Sequence, residues 1–374
     1  MIEPRSFFEA VSRAGVAFFA GVPDSLLKEF CAFMSDVMPA ERHVIACNEG
    51  NALAVAAGAQ LATGSVPLVY LQNSGFGNLV NPLISLTDPE VYGLPIILLI
   101  GWRGEPGTKD EPQHMVQGRV QEGLLRTLGV PSVTMGPESN PAEVASWAVQ
   151  TARARGGPVA ILVRKGTFAS YRAAVAAPKD PYPTREEIIE VVLERVDERD
   201  VVVATTGMTS REVFEVRERR GEGHGQDFLT VGSMGHASAI ALGLAAHLPD
   251  RHVWCLDGDG AALMHLGAMT TLGTSGLVNV VHVLLNNGAH DSVGGQPTVG
   301  RLIDFQAIAR ASRYRFTARA GTIAELRRAL GEEALRWGPS MLEVWVRKGA
   351  RSNLGRPTTA PMQNKAALQR LIAR

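Results

Sequence analysis

The chain has 374 residues, 45% hydrophobic and 20% charged, with 37 basic residues balancing 37 acidic ones. That length supports two or three domains with full cores, and the neutral balance offers no basic face for nucleic acid and no charged face for a membrane. The longest apolar run, residues 94–100, is too short to span a bilayer, and Met1-Ile2-Glu3-Pro4 does not begin a signal peptide. Cys31, Cys47 and Cys255 lie in apolar surroundings without ligand-like spacing and read as reduced core thiols, so a cytoplasmic protein is expected.

Strands are predicted over 44–47, 68–72, 95–101, 159–163, 201–205, 253–256, 280–285 and 342–346. Helical patterns alternate with them at 24–33, 50–61, 142–153, 187–196 and 323–337. Such alternation predicts an α/β chain of doubly wound parallel sheets. Prolines cluster over 173–183 without apolar periodicity, and Thr184-Arg185-Glu186-Glu187 is a capping box before an apolar helix. Two α/β domains are therefore expected, over 1–178 and 184–374, with no middle domain between them. The polar segment 355–374 is weakly helical at its end and is expected to cover the surface or mediate assembly.

Two segments carry the chemistry. The strand at 253–256 opens into Asp257-Gly258-Asp259-Gly260-Ala261, and the strand at 280–285 ends in Asn286-Asn287-Gly288-Ala289-His290. A parallel sheet places such strand ends side by side, so Asp259 and Asn287, 28 positions apart, can converge. A carboxylate, an amide oxygen and a loop carbonyl suit Mg²⁺, which takes oxygen ligands and keeps phosphate in its shell. The glycines would leave N–H groups free for a diphosphate. The sequence excludes two other readings. An EF-hand loop from Asp257 would need Gly at 262 and Glu at 268, where alanines stand, and a dinucleotide fingerprint from Gly258 would need Gly at 263, which is leucine. A tight turn with Asp259 as a mere helix cap is the remaining alternative.

This pair of segments resembles the cofactor signature of thiamine diphosphate enzymes. The resemblance implies that Asp259 and Asn287 bind the metal by side chains and Ala289 by its carbonyl, with Asn286 the substitute if the register slips, and that Gly258, Gly260 and Ala261 line the diphosphate. It also implies a role for Glu49, in Cys47-Asn48-Glu49-Gly50, as the carboxylate that activates the aminopyrimidine. For Glu49 the alternative is a first-turn glutamate complementing the helix dipole. In Gly232-Ser233-Met234-Gly235-His236, Met234 would prop the bent cofactor and Gly232 would accept from its amine. Thr206, at the end of the strand 201–205, would approach the diphosphate.

The short interval between domains resembles the phosphonopyruvate decarboxylases, with the sulfopyruvate decarboxylases beside them. So do Gly21-Val22-Pro23-Asp24-Ser25, Gln72-Asn73-Ser74-Gly75, the run 101–107, Asp110-Glu111-Pro112-Gln113-His114 and the run 288–298. The resemblance spans about 15–350 and implies decarboxylation of a small anionic 2-keto acid, 3-phosphonopyruvate, in phosphonate metabolism, including antibiotic biosynthesis. Ser25, Asn73, Arg103, Lys109 and Arg119 lie in or beside loops suited to substrate, with Arg103 or Lys109 pairing the phosphonate. Solvated surface charge is the alternative for these cations. His114, His290, Asp24 and Asp291 are the candidates for proton handling, with helix capping the alternative for Asp24. In the resembled family the first domain of one chain faces the second domain of its neighbour, so a homo-oligomer with shared sites is expected.

Overall fold

A computed structural model describes residues 1–172 and 180–373. The chain divides into two compact units, Met1–Ala177 and Pro178–Arg374. Most of the proline-marked boundary lies outside the described residues.

In the first unit, β1 (Phe19–Gly21), β2 (His43–Ile45), β3 (Leu68–Gln72), β4 (Ile97–Gly101), β5 (Ser132–Met135) and β6 (Val159–Val163) form one parallel sheet in the order β2-β1-β3-β4-β6-β5. Side chains alternate across it, as the pleat requires. Leu68, Tyr70, Ile97 and Leu99 join a core with Phe7 and Phe30 on one face. Val69, Leu71, Leu98 and Ile100 join Ala52, Leu53 and Ala56 of the helix Glu49–Thr63 on the other.

In the second unit, β7 (Val201–Ala204), β8 (Asp227–Leu229), β9 (Val253–Gly258), β10 (Val280–Asn286), β11 (Phe316–Ala320) and β12 (Ser340–Trp345) form a parallel sheet in the order β11-β12-β10-β9-β7-β8. One face packs Val202, Leu256, Val283 and Val344 against Ile188 and Val192 of the helix Arg185–Leu193, which opens with the expected capping box. The helix Ala237–His247 packs against β7, β9 and β10. In both sheets the chain leaves its first strand for one side and returns on the other. The resulting crevices lie between β1 and β3 and between β7 and β9, at the strand C-termini where α/β ligand sites form.

The eight predicted strands are present, and four more were not anticipated: β1, β5, β8 and β11. Strands β5, β8 and β11 lie at sheet edges, without the continuous apolar run that marks a strand buried on both faces. The helix expected at 24–33 begins only at Lys28, because the Asp24 carboxylate accepts from the Leu26 N–H and holds a turn there. The helix expected over 323–337 stops at Gly331, where Glu332 turns extended, and a short 3₁₀ turn, Glu333–Arg336, follows. Cys47 is only half-buried, unlike the buried Cys31 and Cys255. The C-terminal segment carries the helix Pro361–Ile372, whose Asn364 holds β8 by accepting from the Leu229 N–H. Among the described residues no helix is long and apolar enough to cross a membrane.

Candidate functional site

Strands β9 and β10 run in register, Leu284 beside Asp257 and Leu285 beside Gly258, so the loops they release emerge together. The Asn287 N–H donates to Asp259 Oδ1 at 3.3 Å, and the Thr298 hydroxyl donates to the other carboxylate oxygen. The structure therefore brings together the two residues 28 positions apart. The cap position of the short helix Asp259–Met264 is held by Gly258, and Asp259 is its first residue. Its carboxyl is 1% exposed, and burial pushes its pKa up to about 6 against those neutral donors. A buried carboxylate served only by neutral donors is costly, and a cation relieves that cost.

The other oxygens stand close in the same loop. Asn287 accepts from the Ala289 N–H at 3.0 Å and donates to Asp291 Oδ2 at 2.6 Å, which fixes which end of its amide is oxygen. Ala289 faces Pro297 in an antiparallel bridge in which the Thr298 N–H donates to the Gly288 carbonyl and the His290 N–H to the Gln296 carbonyl, leaving the Ala289 carbonyl outside the ladder. This all-oxygen set fits Mg²⁺. Asn286 is committed elsewhere: its amide donates to Gly300 O and Glu343. His290 is buried against Gly260, where a Cβ would lie 3.0 Å from the ring, and burial lowers its pKa to about 4, so it is neutral at physiological pH. Asp291 also accepts from Arg185 at 3.1 Å and from the Gly349 N–H at 2.9 Å, and Arg185 pairs in turn with buried Glu212. It orients Asn287 more plainly than it serves as a free acid.

At the neighbouring crevice, half-buried Thr206 precedes Gly207 (φ +95°), which starts the helix Met208–Arg219. The turn holding Gly232 and half-buried Met234 includes Gly235 (φ +85°), where a Cβ would lie 3.0 Å from the Ala261 carbonyl. That turn therefore packs on the helix bearing Asp259.

The first unit collects a different set at the ends of β1, β3 and β4. Asp24 is fully buried, and burial outweighs the nearby Arg103 charge to push its pKa up to about 7. Its Oδ2 occupies space a side chain at Gly101 would need, since a Cβ there would lie 1.8 Å away. Arg103 donates to Ser25 Oγ at 2.7 Å, and Ser25 lies 3.4 Å from Asp24 Oδ1. Asn73 holds the Arg103 backbone through both its N–H and its carbonyl. The Arg103 guanidinium is gripped from two nitrogens by Asp110, so Arg103 carries an internal counter-ion. His114, in the first turn of the helix Pro112–Thr127, is buried, and desolvation followed by the Arg103 charge lowers its pKa. Lys109 and Arg119 are exposed.

Glu49 opens the helix Glu49–Thr63 and is 4% exposed. Burial raises its pKa, and the Asn78 side-chain amide donates to its Oε2 at 2.7 Å. Gly75 makes room for it: a Cβ there would lie 1.9 Å from Glu49 Oε1. A solvated first-turn glutamate would show neither feature.

Comparison with known proteins matches the chain to the thiamine pyrophosphate enzyme N-terminal TPP binding domain over residues 5–125 and to the corresponding C-terminal TPP binding domain over 205–344. It is 36% identical to phosphonopyruvate decarboxylase from Streptomyces hygroscopicus, covering 96% of this chain and 92% of the relative. Phosphonopyruvate decarboxylase from Streptomyces viridochromogenes is 35% identical, over 97% of this chain and 93% of its own. Sulfopyruvate decarboxylase from Methanosarcina acetivorans is 26% identical, over 84% and 83%. The chain belongs to the phosphonopyruvate decarboxylase family of thiamine pyrophosphate enzymes.

For a thiamine pyrophosphate-dependent decarboxylase of this family, the sequence reading overlooked several supporting side chains. Thr298 reaches Asp259, Asp110 neutralises Arg103, and Asn78 holds Glu49. Behind the Asp259 turn, Asp257 and His282 lie buried 3.4 Å apart, with Tyr314 on the other imidazole nitrogen and Cys255 beside them. The matching side of β9 and β10, 255 and 257 with 282, was legible from period-two spacing. The Asp110 pairing was not, since a loop closed that way has no periodicity.

Proposed function

We propose that this enzyme converts 3-phosphonopyruvate to phosphonoacetaldehyde and carbon dioxide, using thiamine diphosphate and Mg²⁺. The observation that carries the choice of substrate is the similarity over nearly full length to two phosphonopyruvate decarboxylases, at 36% and 35%, against 26% for the sulfopyruvate enzyme. The pyrimidine-binding role falls to the first unit and the diphosphate and metal role to the second. Asp259, Asn287 and the Ala289 carbonyl would hold Mg²⁺, and Gly258, Gly260, Ala261 and Thr206 the diphosphate. Gly232 and Met234 would seat the pyrimidine and the thiazolium.

When bound, the cofactor supplies the electron sink that lets carbon dioxide leave. Glu49 would share a proton with the pyrimidine ring nitrogen, a role favoured by a buried carboxyl whose pKa is raised. Asp24, whose pKa is raised to about 7, would deliver the proton that replaces the lost carboxylate. His114 and His290, both biased towards the neutral form, would donate a hydrogen bond to substrate rather than a charge. Ser25 and Asn73 orient Arg103, and Lys109 adds a mobile cation for the phosphonate. We further propose a cytoplasmic homo-oligomer in which one chain supplies Glu49 and its neighbour Asp259 to each site.

Carbon dioxide release from phosphonopyruvate, sulfopyruvate and pyruvate, measured side by side, tests the reading. The highest kcat/KM is expected on phosphonopyruvate, and a preference for sulfopyruvate would reassign the substrate.

A further inference from the structure

The loop carrying Asn287, Ala289, His290 and Thr298 is tied down by a buried network outside the site itself. Asn286, the last residue of β10, has no exposed surface. Its amide nitrogen donates to the Gly300 carbonyl at 2.8 Å and to Glu343 Oε1 at 2.9 Å, and its oxygen accepts from the Gly288 N–H at 3.1 Å. One side chain thereby joins the two ends of the loop. Glu343, on the adjacent strand β12, is likewise 0% exposed. It accepts from the Trp345 indole at 2.9 Å and from Arg319 Nε at 2.8 Å, and the Arg319 guanidinium covers the Trp345 ring at 5.3 Å. Beyond Gly300, Arg301 donates to Val346 O at 2.6 Å and to Asp180 at 2.8 Å.

A fully buried carboxylate, paired here with the exposed Arg319, is not the cheapest way to fill a core, because an apolar residue of similar size often serves stability as well or better. This one is spent on orienting Asn286. The connection to the cation clamp runs through Gly300: a Cβ there would lie 2.4 Å from Asp259 Oδ2 and 2.9 Å from Asn286 Oδ1. Asp259 and Asn286 thus meet across the same bare stretch of backbone.

We infer that Glu343 is a positioning residue for the metal clamp, acting through Asn286 to hold Asn287 and Thr298 in register with Asp259. The inference rests on the clamp reading of Asp259 and Asn287. Without the Glu343 acceptor, the Asn286 amide loses its anchor on β12, and its hold on Gly288 and Gly300 loosens. The loop ends then drift apart while the sheet beneath stays paired. Removing an outer-shell partner of a metal ligand typically costs roughly 10–100-fold in metal affinity.

The test measures Mg²⁺ binding by calorimetry in the presence of thiamine diphosphate, and backbone hydrogen exchange of 287–300 in the cofactor-free protein. Glu343→Ala and Asn286→Ala are expected to weaken Mg²⁺ by roughly 10–100-fold and to speed exchange in the loop, with β7 and β9 unchanged. Glu343→Gln should stay within a few-fold of wild type, because its amide oxygen can still accept from Asn286 and Trp345. If Asp259→Ala loses the metal while Glu343→Ala and Asn286→Ala bind normally, the positioning role is overturned and the clamp survives. If Asp259→Ala also binds normally, the clamp fails and this inference falls with it. Should Glu343→Ala not fold, Asn286→Ala and Glu343→Gln decide. Equal losses in the Gln and Ala variants would mean that Glu343 acts by charge alone, and would also overturn the inference.

Discussion

The two units wind their six strands in the same order, yet arm the strand ends differently. After β1, β3 and β4 of the first come Asp24, Asn73 and Arg103; after β7, β9 and β10 of the second come Thr206, Asp259 and Asn287. Each crevice holds a buried carboxylate with a raised pKa, but the surroundings differ. Asp24 has an arginine nearby that is already neutralised by Asp110, and so remains a titrating acid. Among the described residues Asp259 meets neutral donors and neighbouring oxygens, a setting that suits a cation. Under the proposed function, a single fold would thus serve proton chemistry in one unit and ion binding in the other, by loop residues alone.

The largest effects should come from exchanging these characters. Glu49→Gln keeps the shape but loses the proton-sharing carboxyl, and turnover should fall at least about a hundredfold with cofactor affinity little changed. Near-normal decarboxylation would remove Glu49 from the role. Asp259→Ala should behave oppositely, losing Mg²⁺ and thiamine diphosphate affinity together by more than the roughly 10–100-fold of an outer-shell change, and Asn287→Ala should follow less severely. Unchanged calorimetric affinity in both would dissolve the contrast between the units. Mixing the two inactive proteins should restore part of the activity if sites are shared, and continued inactivity after proven subunit exchange would rule sharing out.

A middle-sized effect concerns stability. Asp24 has its pKa raised from 3.8 to about 7 in the folded chain. Below the unfolded value the carboxyl is protonated in both states and costs nothing. As pH rises from about 4 to 7 the unfolded chain releases the proton first, so stability falls through that window. Asp24→Asn should abolish the fall, stabilising the protein at pH 8 by up to a few kcal/mol, at about 1.4 kcal/mol per pKa unit, with no gain at pH 4. Parallel thermal melts of the two proteins at pH 4 and pH 8 would contradict the buried-acid picture. The smallest effect is expected at Lys109. Lys109→Ala should raise KM for phosphonopyruvate about tenfold, the worth of one charge-assisted contact, and leave pyruvate unaffected. Arg103→Ala is a blunter probe, because it also strands Asp110. Equal shifts on both substrates would assign these cations to the fold.

Much of this division was legible in the chain. Strands such as β3 and β6 are buried on both faces and announce themselves as apolar runs, and the glycine-aspartate and double-asparagine turns fix where β9 and β10 end. Short or peripheral strands gave less: β8 is three residues long, and β11 exposes Arg319. The fork of Arg103 onto Asp110 and the reach of Asn286 to Glu343 depend on loop closure and strand neighbours, which one-dimensional spacing does not encode.

Gly75 and Gly101 lead to a different kind of consequence. At each, the place a methyl group would occupy is taken by a carboxylate oxygen, of Glu49 at Gly75 and of Asp24 at Gly101. The two acids are therefore specified as much by missing atoms as by present ones. An alanine at either position would evict the acid from its niche and leave every ionisable residue of the chain intact. Genes drifting towards inactivity could lose this enzyme through its hydrogens, with all the recognisable chemistry still written in the sequence.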